Sequence, residues 1–386
     1  MNSNYKKCNN IEDLGRAAKR VLPTAIYHYL AGGADDEVSL KNNTQAYDDY
    51  QLTPHQLNDV SKIDLSTELL GKKLDWPVML SPTGMSRLFH HSAEPAAAKA
   101  AATLGTFYST STVSTTSLED IADSSDGPKL FQCYIFKDRG LTREFISRCK
   151  QSGYHGLCLT VDTPLAGNRE RDLVTGMTMP PSLSLKSLLS FVTHPRWSLN
   201  AVLGPGFSLA NVSHKLETAA KSATSVIEFI NKQFDRTVTW ADAEWLAQQW
   251  DGPFVIKGLQ AVEDAKRAAD IGADAIMISN HGGRQLDTSP APVDCIAPIA
   301  DALGDRLQLI CDGGIRRGTH VIKALALGAS AVSVGRPYLY GLAVGGQAGA
   351  EYALNLLKTE IERDMALMGC SSIKQISSVY IRHRVS

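Results

Sequence analysis

A histidine and an arginine stand three residues apart in the run Ser279-Asn280-His281-Gly282-Gly283-Arg284-Gln285-Leu286-Asp287, just beyond a short apolar stretch, Ala275 to Ile278. In an α/β chain, strand ends are where reactive side chains collect. An imidazole there can accept or give a proton near neutral pH, and a guanidinium can hold a carboxylate through two parallel hydrogen bonds. The pair suits proton transfer on a small acid. The plain alternative is a loop histidine capping a helix, but none of the other histidines has a comparable setting.

Two more segments carry chemistry. Lys257, in Val255-Ile256-Lys257-Gly258, sits on an otherwise apolar run, so its ammonium must find a partner or lose its proton. A Schiff-base lysine and a charge held for a bound group both fit that setting. Asp312-Gly313-Gly314-Ile315-Arg316-Arg317-Gly318 and Val334-Gly335-Arg336-Pro337 have the glycines, backbone N–H groups and cations that hold a phosphate at helix N-termini. Arg316 and Arg336 would supply the charge, unless these are tight turns with surface arginines. No closely spaced set of His and carboxylate ligands suggests a metal.

Eight short β-rich runs must position these residues: Val78 to Ser81, Phe107 to Ser111, Leu130 to Ile135, Gly156 to Val161, Phe254 to Lys257, Ala275 to Ser279, Leu307 to Cys311 and Ala331 to Val334. Each is followed by a segment of helical character, as in Val262 to Ala269 and Thr319 to Leu327. Apolar runs without alternation fit parallel strands buried on both faces, and eight βα units close into a (β/α)8 TIM barrel. Nearly every run ends in groups that can meet a ligand: Pro82, Thr83 and Gly84; Ser111; Gln132 and Tyr134; Thr160 and Asp162; Lys257; Ser279 and His281; Asp312 and Gly314; Gly335 and Arg336. Eight such ends converge on one barrel mouth.

Before the barrel, Asn10 is a candidate N-cap for a helix with Ile11, Leu14, Ala18 and Val21 at helical spacing; Pro23 restarts it and Gly32-Gly33 ends it, giving an N-terminal helical cap. About ninety residues separate the fourth run from the fifth, more than a βα connection needs. The expected organisation is a single domain over 1–386, with the cap at 1–75, the first barrel half at 76–176, an insertion at 177–236 and the second half with C-terminal helices at 237–386. From Ser222 to Trp250 the pattern is again helical. A chain of 386 residues with 44% hydrophobic content can bury a core of that size. Lys+Arg 39 against Asp+Glu 40 leaves no global field to favour nucleic acid. The seven cysteines are scattered and odd in number, which suggests a reducing cytoplasmic interior. No stretch has the length of a spanning apolar helix.

With the His281 run, the three segments around Lys257, Asp312 and Gly335 resemble the FMN-dependent L-2-hydroxy-acid dehydrogenases and oxidases, which include glycolate oxidase, L-lactate dehydrogenase and mandelate dehydrogenase. The resemblance runs from about Leu22 to about Ser377. It implies FMN as cofactor, a small 2-hydroxy acid as substrate and His281 as the base. Asp162 would stabilise the imidazolium and Tyr134 would meet the reacting alcohol. Arg284, Arg169 and Tyr29 would take the carboxylate, although packing alone also accounts for Tyr27 or Tyr29; Arg171 reads as a surface charge. Lys257 would lie by the flavin ring. Pro82, Thr83, Gly84, Ser111, Gln132, Thr160 and Ser279 would contact the flavin, Asp312 its ribityl chain, and Gly314, Arg316, Gly335 and Arg336 its phosphate. Glycolate oxidases usually have Ala at the position of Gly84 and Trp at that of Val113, so the chain looks closer to lactate and mandelate dehydrogenases. Whether His281 takes the hydroxyl proton or the α-proton stays open. L-Lactate is the favoured acid and a mandelate-like acid the next, with O2 as the rival acceptor to a quinone or other external one. A homo-oligomer, tetrameric by resemblance, is expected.

From Met177 to Lys215 there is no Asp or Glu, while Leu183, Leu185, Leu188, Leu189, Phe191, Val192, Trp197 and Leu199 crowd its first half beside Lys186 and Arg196. That composition suits an anionic lipid surface, with a lid or an oligomer contact as alternatives. Together with the resemblance to membrane-bound members, it leads to the expectation of a peripheral protein on the cytoplasmic face of the inner membrane.

Overall fold

In the computed structural model, which describes residues 3–177, 185–203, 206–215 and 232–384, the eight expected runs form a closed, all-parallel barrel in which each strand pairs with the next in sequence and the last with the first. The strands are β1 (Val78–Thr83), β2 (Tyr108–Ser111), β3 (Lys129–Cys133), β4 (Gly156–Thr160), β5 (Phe254–Leu259), β6 (Ala275–Ser279), β7 (Gln308–Asp312) and β8 (Ala331–Val334). Side chains alternate along a strand with a period of two. The inward column is apolar at the start of each strand, where Met79, Leu130, Cys158, Val255, Met277, Ile310 and Ala331 pack into one buried cluster. Two residues on, the same column turns polar: Ser81, Gln132, Thr160, Lys257, Ser279, Asp312 and Ser333. Apolar residues fill the barrel floor, and the chemistry is stacked above them.

A hairpin, Thr67–Leu69 paired antiparallel with Lys72–Leu74, closes the floor by adding Leu69, Leu70 and Leu74 to that cluster. The cap consists of α1 (Ile11–Val21), α2 (Thr24–Ala31) and α3 (Val38–Gln45). The Asn10 side chain accepts from Asp13 N–H at 2.8 Å, as a cap residue should. Val21 is exposed, however, and its neighbour Leu22 is buried, because the chain has turned extended by then. A second short strand pair, Tyr50–Leu52 with Ile381–His383, ties the cap to the C-terminus.

The surrounding helices are α4 (Ala93–Thr103), α5 (Leu118–Asp123), α6 (Arg139–Gln151), α7 (Glu170–Thr175), α8 (Leu185–Thr193), α9 (Pro195–Leu203), α10 (Trp240–Gln249), α11 (Val262–Asp270), α12 (Ile296–Leu303), α13 (Gly318–Ala326) and α14 (Arg336–Met368), the last interrupted at Gly346. Of the helical pattern expected from Ser222 to Trp250, α10 is present; residues 222–231, like Leu183, lie outside the described residues. The insertion helices α8 and α9 rest on the cap side: Ser190 Oγ accepts from Thr24 N–H at 2.9 Å and Trp197 Nε1 donates to Leu88 O at 2.8 Å.

Candidate active site

A cavity of about 540 Å³ opens at the C-terminal mouth of the barrel, within the range of small-molecule and cofactor sites. Its walls include Tyr29, Pro82, Thr83, Gly84, Ser111, Tyr134, Arg169, Lys257, His281, Arg284, Asp312, Gly314, Arg316, Gly335 and Arg336. Gln132, Thr160, Asp162 and Ser279 do not line it; they lie on strands or just past them, in contact with residues that do. Two placements differ from the sequence reading. Tyr134 lies past its strand, as Asp162 does in keeping with that reading, and Lys257 is not at a strand end, since β5 continues to Leu259 through a register shift. Gly258 adopts φ +103° there, and a Cβ on it would come within 2.7 Å of Asp162, so a glycine lets two catalytic candidates approach.

His281 Nδ1 lies 3.0 Å from Asp162 Oδ1. The residue has φ +59°, a left-handed conformation uncommon outside glycine and found where function over-determines the backbone; its N–H is fixed by Ser279 Oγ at 3.0 Å. Burial pushes the His281 pKa below the ordinary histidine range and outweighs the upward pull of Asp162. The ring is therefore neutral at neutral pH, and with Nδ1–H donated to the carboxylate, Nε2 keeps its lone pair. Asp162 itself is held low: burial would raise it, but His281 and Lys257 more than offset that.

Lys257 is buried and paired, which answers the question its setting raised. Its Nζ donates to Ser279 Oγ at 2.8 Å and lies 3.2 Å from Asp312 Oδ2. Burial alone would lower its pKa, yet Asp312 and Asp162 hold it above the usual lysine range, a poor state for Schiff-base formation. Asp312 also accepts from Ser279 Oγ and Ser81 Oγ, both at 2.7 Å. Ser81, and Ser333 bonded to it at 2.6 Å, escaped the sequence reading, although the inward period of two marks both.

Arg284 is half-buried, and one of its nitrogens donates to Tyr29 O at 2.7 Å and Gly32 O at 3.1 Å, the free carbonyls at the end of α2. Its Cζ lies over the Tyr29 ring, 5.0 Å from the centroid. Among the described residues, neither Arg284 nor Arg169 forms an ion pair. Burial, and then Arg169, push Arg284 down to about 9. Because arginine does not deprotonate in proteins, the shift is a measure of how strongly the site favours an anion. Asp172, also missed, lines the same cavity and is raised by burial against the opposing pull of both arginines. Arg171, read as a surface charge, is partly exposed and pairs with Glu37 of the cap.

At the other side of the mouth, Gly313 and Gly314 turn with φ +136° and +74°, and a Cβ on Gly314 would strike Asn43 O at 1.7 Å. The start of α14 presents backbone N–H groups beside them. Arg316 lines the cavity. The Arg336 guanidinium, expected at a phosphate, donates instead to Leu30 O at 3.1 Å, Gly282 O at 3.0 Å and Gly32 O at 2.8 Å. The N–H groups that begin α14 and the Arg316 side chain remain as donors this side offers an anion.

Fold and site together define a barrel enzyme whose mouth has a phosphate-type turn on one side and a histidine–carboxylate pair with two unpaired arginines on the other. Residues 18–383 match the FMN-dependent dehydrogenase family, and the chain belongs to it. It is 41% identical to an L-lactate oxidase of Nostoc sp. over 96% of this chain and 97% of that protein. It is also 41% identical to an L-lactate dehydrogenase of Ectopseudomonas mendocina, over 95% and 96% respectively. Among solved structures, the monotopic membrane protein (S)-mandelate dehydrogenase superposes with a TM-score of 0.94 at 37% identity, covering 97% of this chain and 99% of that one.

The residues present fit FMN. Gln132 Nε2 and Thr160 Oγ1 are buried polar atoms with no partner among the described residues, a costly state that polar atoms of a bound ring would relieve. Gln132 reaches the cavity wall through Ser111, whose Oγ donates to its Oε1 at 3.1 Å.

Proposed function

We propose that the chain oxidises an L-2-hydroxy acid to the 2-oxo acid, with L-lactate favoured and a mandelate-like acid next, and passes the electrons to a membrane quinone or other external acceptor. The carrying observation is the 3.0 Å contact of Asp162 with His281, which shares one cavity with Arg169 and Arg284. When bound, FMN supplies the two-electron acceptor. Gln132, Thr160 and Ser111 would hold its ring, Asp312 its ribityl chain, and the turn at Gly313–Arg316 with the start of α14 its phosphate.

Arg284 and Arg169 take the substrate carboxylate, which supplies the anion that neither half-buried guanidinium has for a partner among the described residues. This orients the α-carbon and hydroxyl toward His281 and Tyr134. His281 Nε2 accepts the proton, and Asp162, already ionised, stabilises the imidazolium that results. The Tyr134 hydroxyl keeps its proton, since burial and then Asp162 raise its pKa, so it acts as a donor. Lys257, charged in every state its carboxylate partners allow, offsets negative charge gained at the ring.

Anaerobic mixing of the FMN-loaded protein with L-lactate, D-lactate, mandelate and glycolate tests the reading. Bleaching of the flavin absorbance by an L-acid and not by its D-form is expected; no bleaching by any 2-hydroxy acid removes the proposal. The match to an L-lactate oxidase favours a second reading in which O2 takes the electrons and peroxide forms. Reoxidation of the reduced protein by O2, followed in stopped flow, separates the two: an oxidase reoxidises in step with turnover and a dehydrogenase lags far behind it.

A further inference from the structure

One buried histidine outside the reaction site touches the glycine turn. His320, on the first turns of α13, is buried and stacks on Tyr47 from the cap side, with centroids 4.4 Å apart and planes within 7°. Its Nδ1 is 3.4 Å from Arg316 N and 3.3 Å from Gly314 O. Tyr47 Oη donates to Gly313 O at 3.4 Å, and Thr44 Oγ1 to Gly314 O at 3.2 Å. Side chains from the cap and from α13 therefore hold Gly313, Gly314 and Arg316, while the turn also opens into the cavity.

We infer that His320, backed by Tyr47, is a positioning residue for the cofactor phosphate: it sets the Gly313–Arg316 turn so that its donors face an anion. The inference rests on the proposed placement of the FMN phosphate at this turn. The ring is neutral, because burial lowers its pKa to about 4, aided by Lys323, Arg316 and Arg317 and opposed by the Gly314 carbonyl. A neutral imidazole carries one ring proton, so Nδ1 either accepts from Arg316 N–H or donates to Gly314 O. Either bond pins one end of a turn whose glycine conformations would otherwise be loosely specified.

The test compares FMN with riboflavin, which lacks the phosphate. Flavin fluorescence on dilution of the FMN-loaded full chain gives retention, and titration of the deflavinated chain gives both affinities. His320→Phe keeps an aromatic stack and removes Nδ1; it should weaken FMN about tenfold, the worth of one good hydrogen bond, and leave riboflavin unchanged. His320→Asn, which returns a polar atom near the Nδ1 position, should restore part of the loss, and Tyr47→Phe should weaken FMN in the same phosphate-selective way. Equal weakening of FMN and riboflavin in His320→Phe, or no weakening of either, overturns the proposal. Arg316→Ala guards the premise. If it lowers FMN over riboflavin while His320→Phe does not, only the brace is wrong; if it leaves that ratio intact, the phosphate lies elsewhere.

Discussion

At the scale of single residues, His281 and Asp162 make opposite demands on pH that a rate profile can separate. Burial lowers the His281 pKa, so the base form persists below the ordinary histidine range. The acid limb of kcat/KM for the favoured acid should therefore fall below pH 6.5. Asp162 pulls that pKa upward, so Asp162→Asn should move the limb further down while slowing the maximal rate, because the imidazolium loses its carboxylate. His281→Gln should retain FMN and reduce it roughly 10²- to 10⁴-fold more slowly. A limb at or above the ordinary histidine value, or near-normal flavin reduction in His281→Gln, would contradict the role. The His281 and Arg284 placements were legible in the sequence because both follow a strand whose end is easily found. Asp172 was not, because a carboxylate in a short helix looks like an ordinary solvated position; Ser81 and Ser333 were marked only by the period of two, which does not say which column faces inward until the barrel closes.

Among elements, the strands were legible and their exits less so. A buried parallel strand announces itself by an unbroken apolar run, but the two residues beyond it follow local backbone demands. Lys257 looked like a strand end because Gly258 follows, yet the glycine bends β5 and lets it continue. The exits of β1 and β2 are coupled in a way composition does not reveal. Met85 N–H donates to Val113 O at 3.0 Å, and the buried Glu94 carboxylate at the start of α4 binds both exits, accepting from Ser86 N–H at 3.0 Å and Thr115 N–H at 2.9 Å. Gly84 sits inside this braced pair, where a Cβ would meet Val113 Cγ2 at 2.4 Å and Val113 O at 3.0 Å. The carbonyl is fixed, so the Val113 side chain must turn aside into the cavity. Gly84→Ala should thus discriminate against bulky 2-hydroxy acids, lowering kcat/KM for mandelate relative to L-lactate by about tenfold, the scale of one lost methylene's room. Gly84→Ala/Val113→Ala should recover most of the difference. An unchanged mandelate-to-lactate ratio in the single variant would show that this wall does not face the substrate side chain.

For the whole molecule, the cap, the barrel mouth and the insertion helices α8 and α9 meet on one side, and the chemistry of that side bears on where the reduced enzyme can dock. The cap is held by the site's own arginines: Arg284 and Arg336 both donate to the carbonyls that end α2, where a helix's negative pole favours cations. Of the insertion helices, α8 leans on that cap through Ser190 and α9 on the exit of β1 through Trp197. Away from those anchors, Leu189, Val192 and Leu199 are 63%, 72% and 58% exposed. Among the described residues no helix is long and apolar enough to cross a membrane, so an apolar surface of this kind can at most lie on one. Apolar side chains scattered singly on a surface mean little; here three occupy two consecutive helices in a stretch without any acidic residue, with Arg196 exposed among them. Each such side chain entering lipid contributes roughly 1 kcal/mol or more, so Leu189→Ser, Val192→Ser and Leu199→Ser together should cut partition onto anionic vesicles about a hundredfold. Flavin reduction by the hydroxy acid should stay intact, because none of the three lines the cavity. Transfer of electrons to a vesicle-borne quinone should fall in parallel with binding. Wild-type protein that fails to sediment with anionic vesicles even at low salt, where charge attraction is strongest, would leave these helices as a lid or a subunit contact and return the electron acceptor to the aqueous phase.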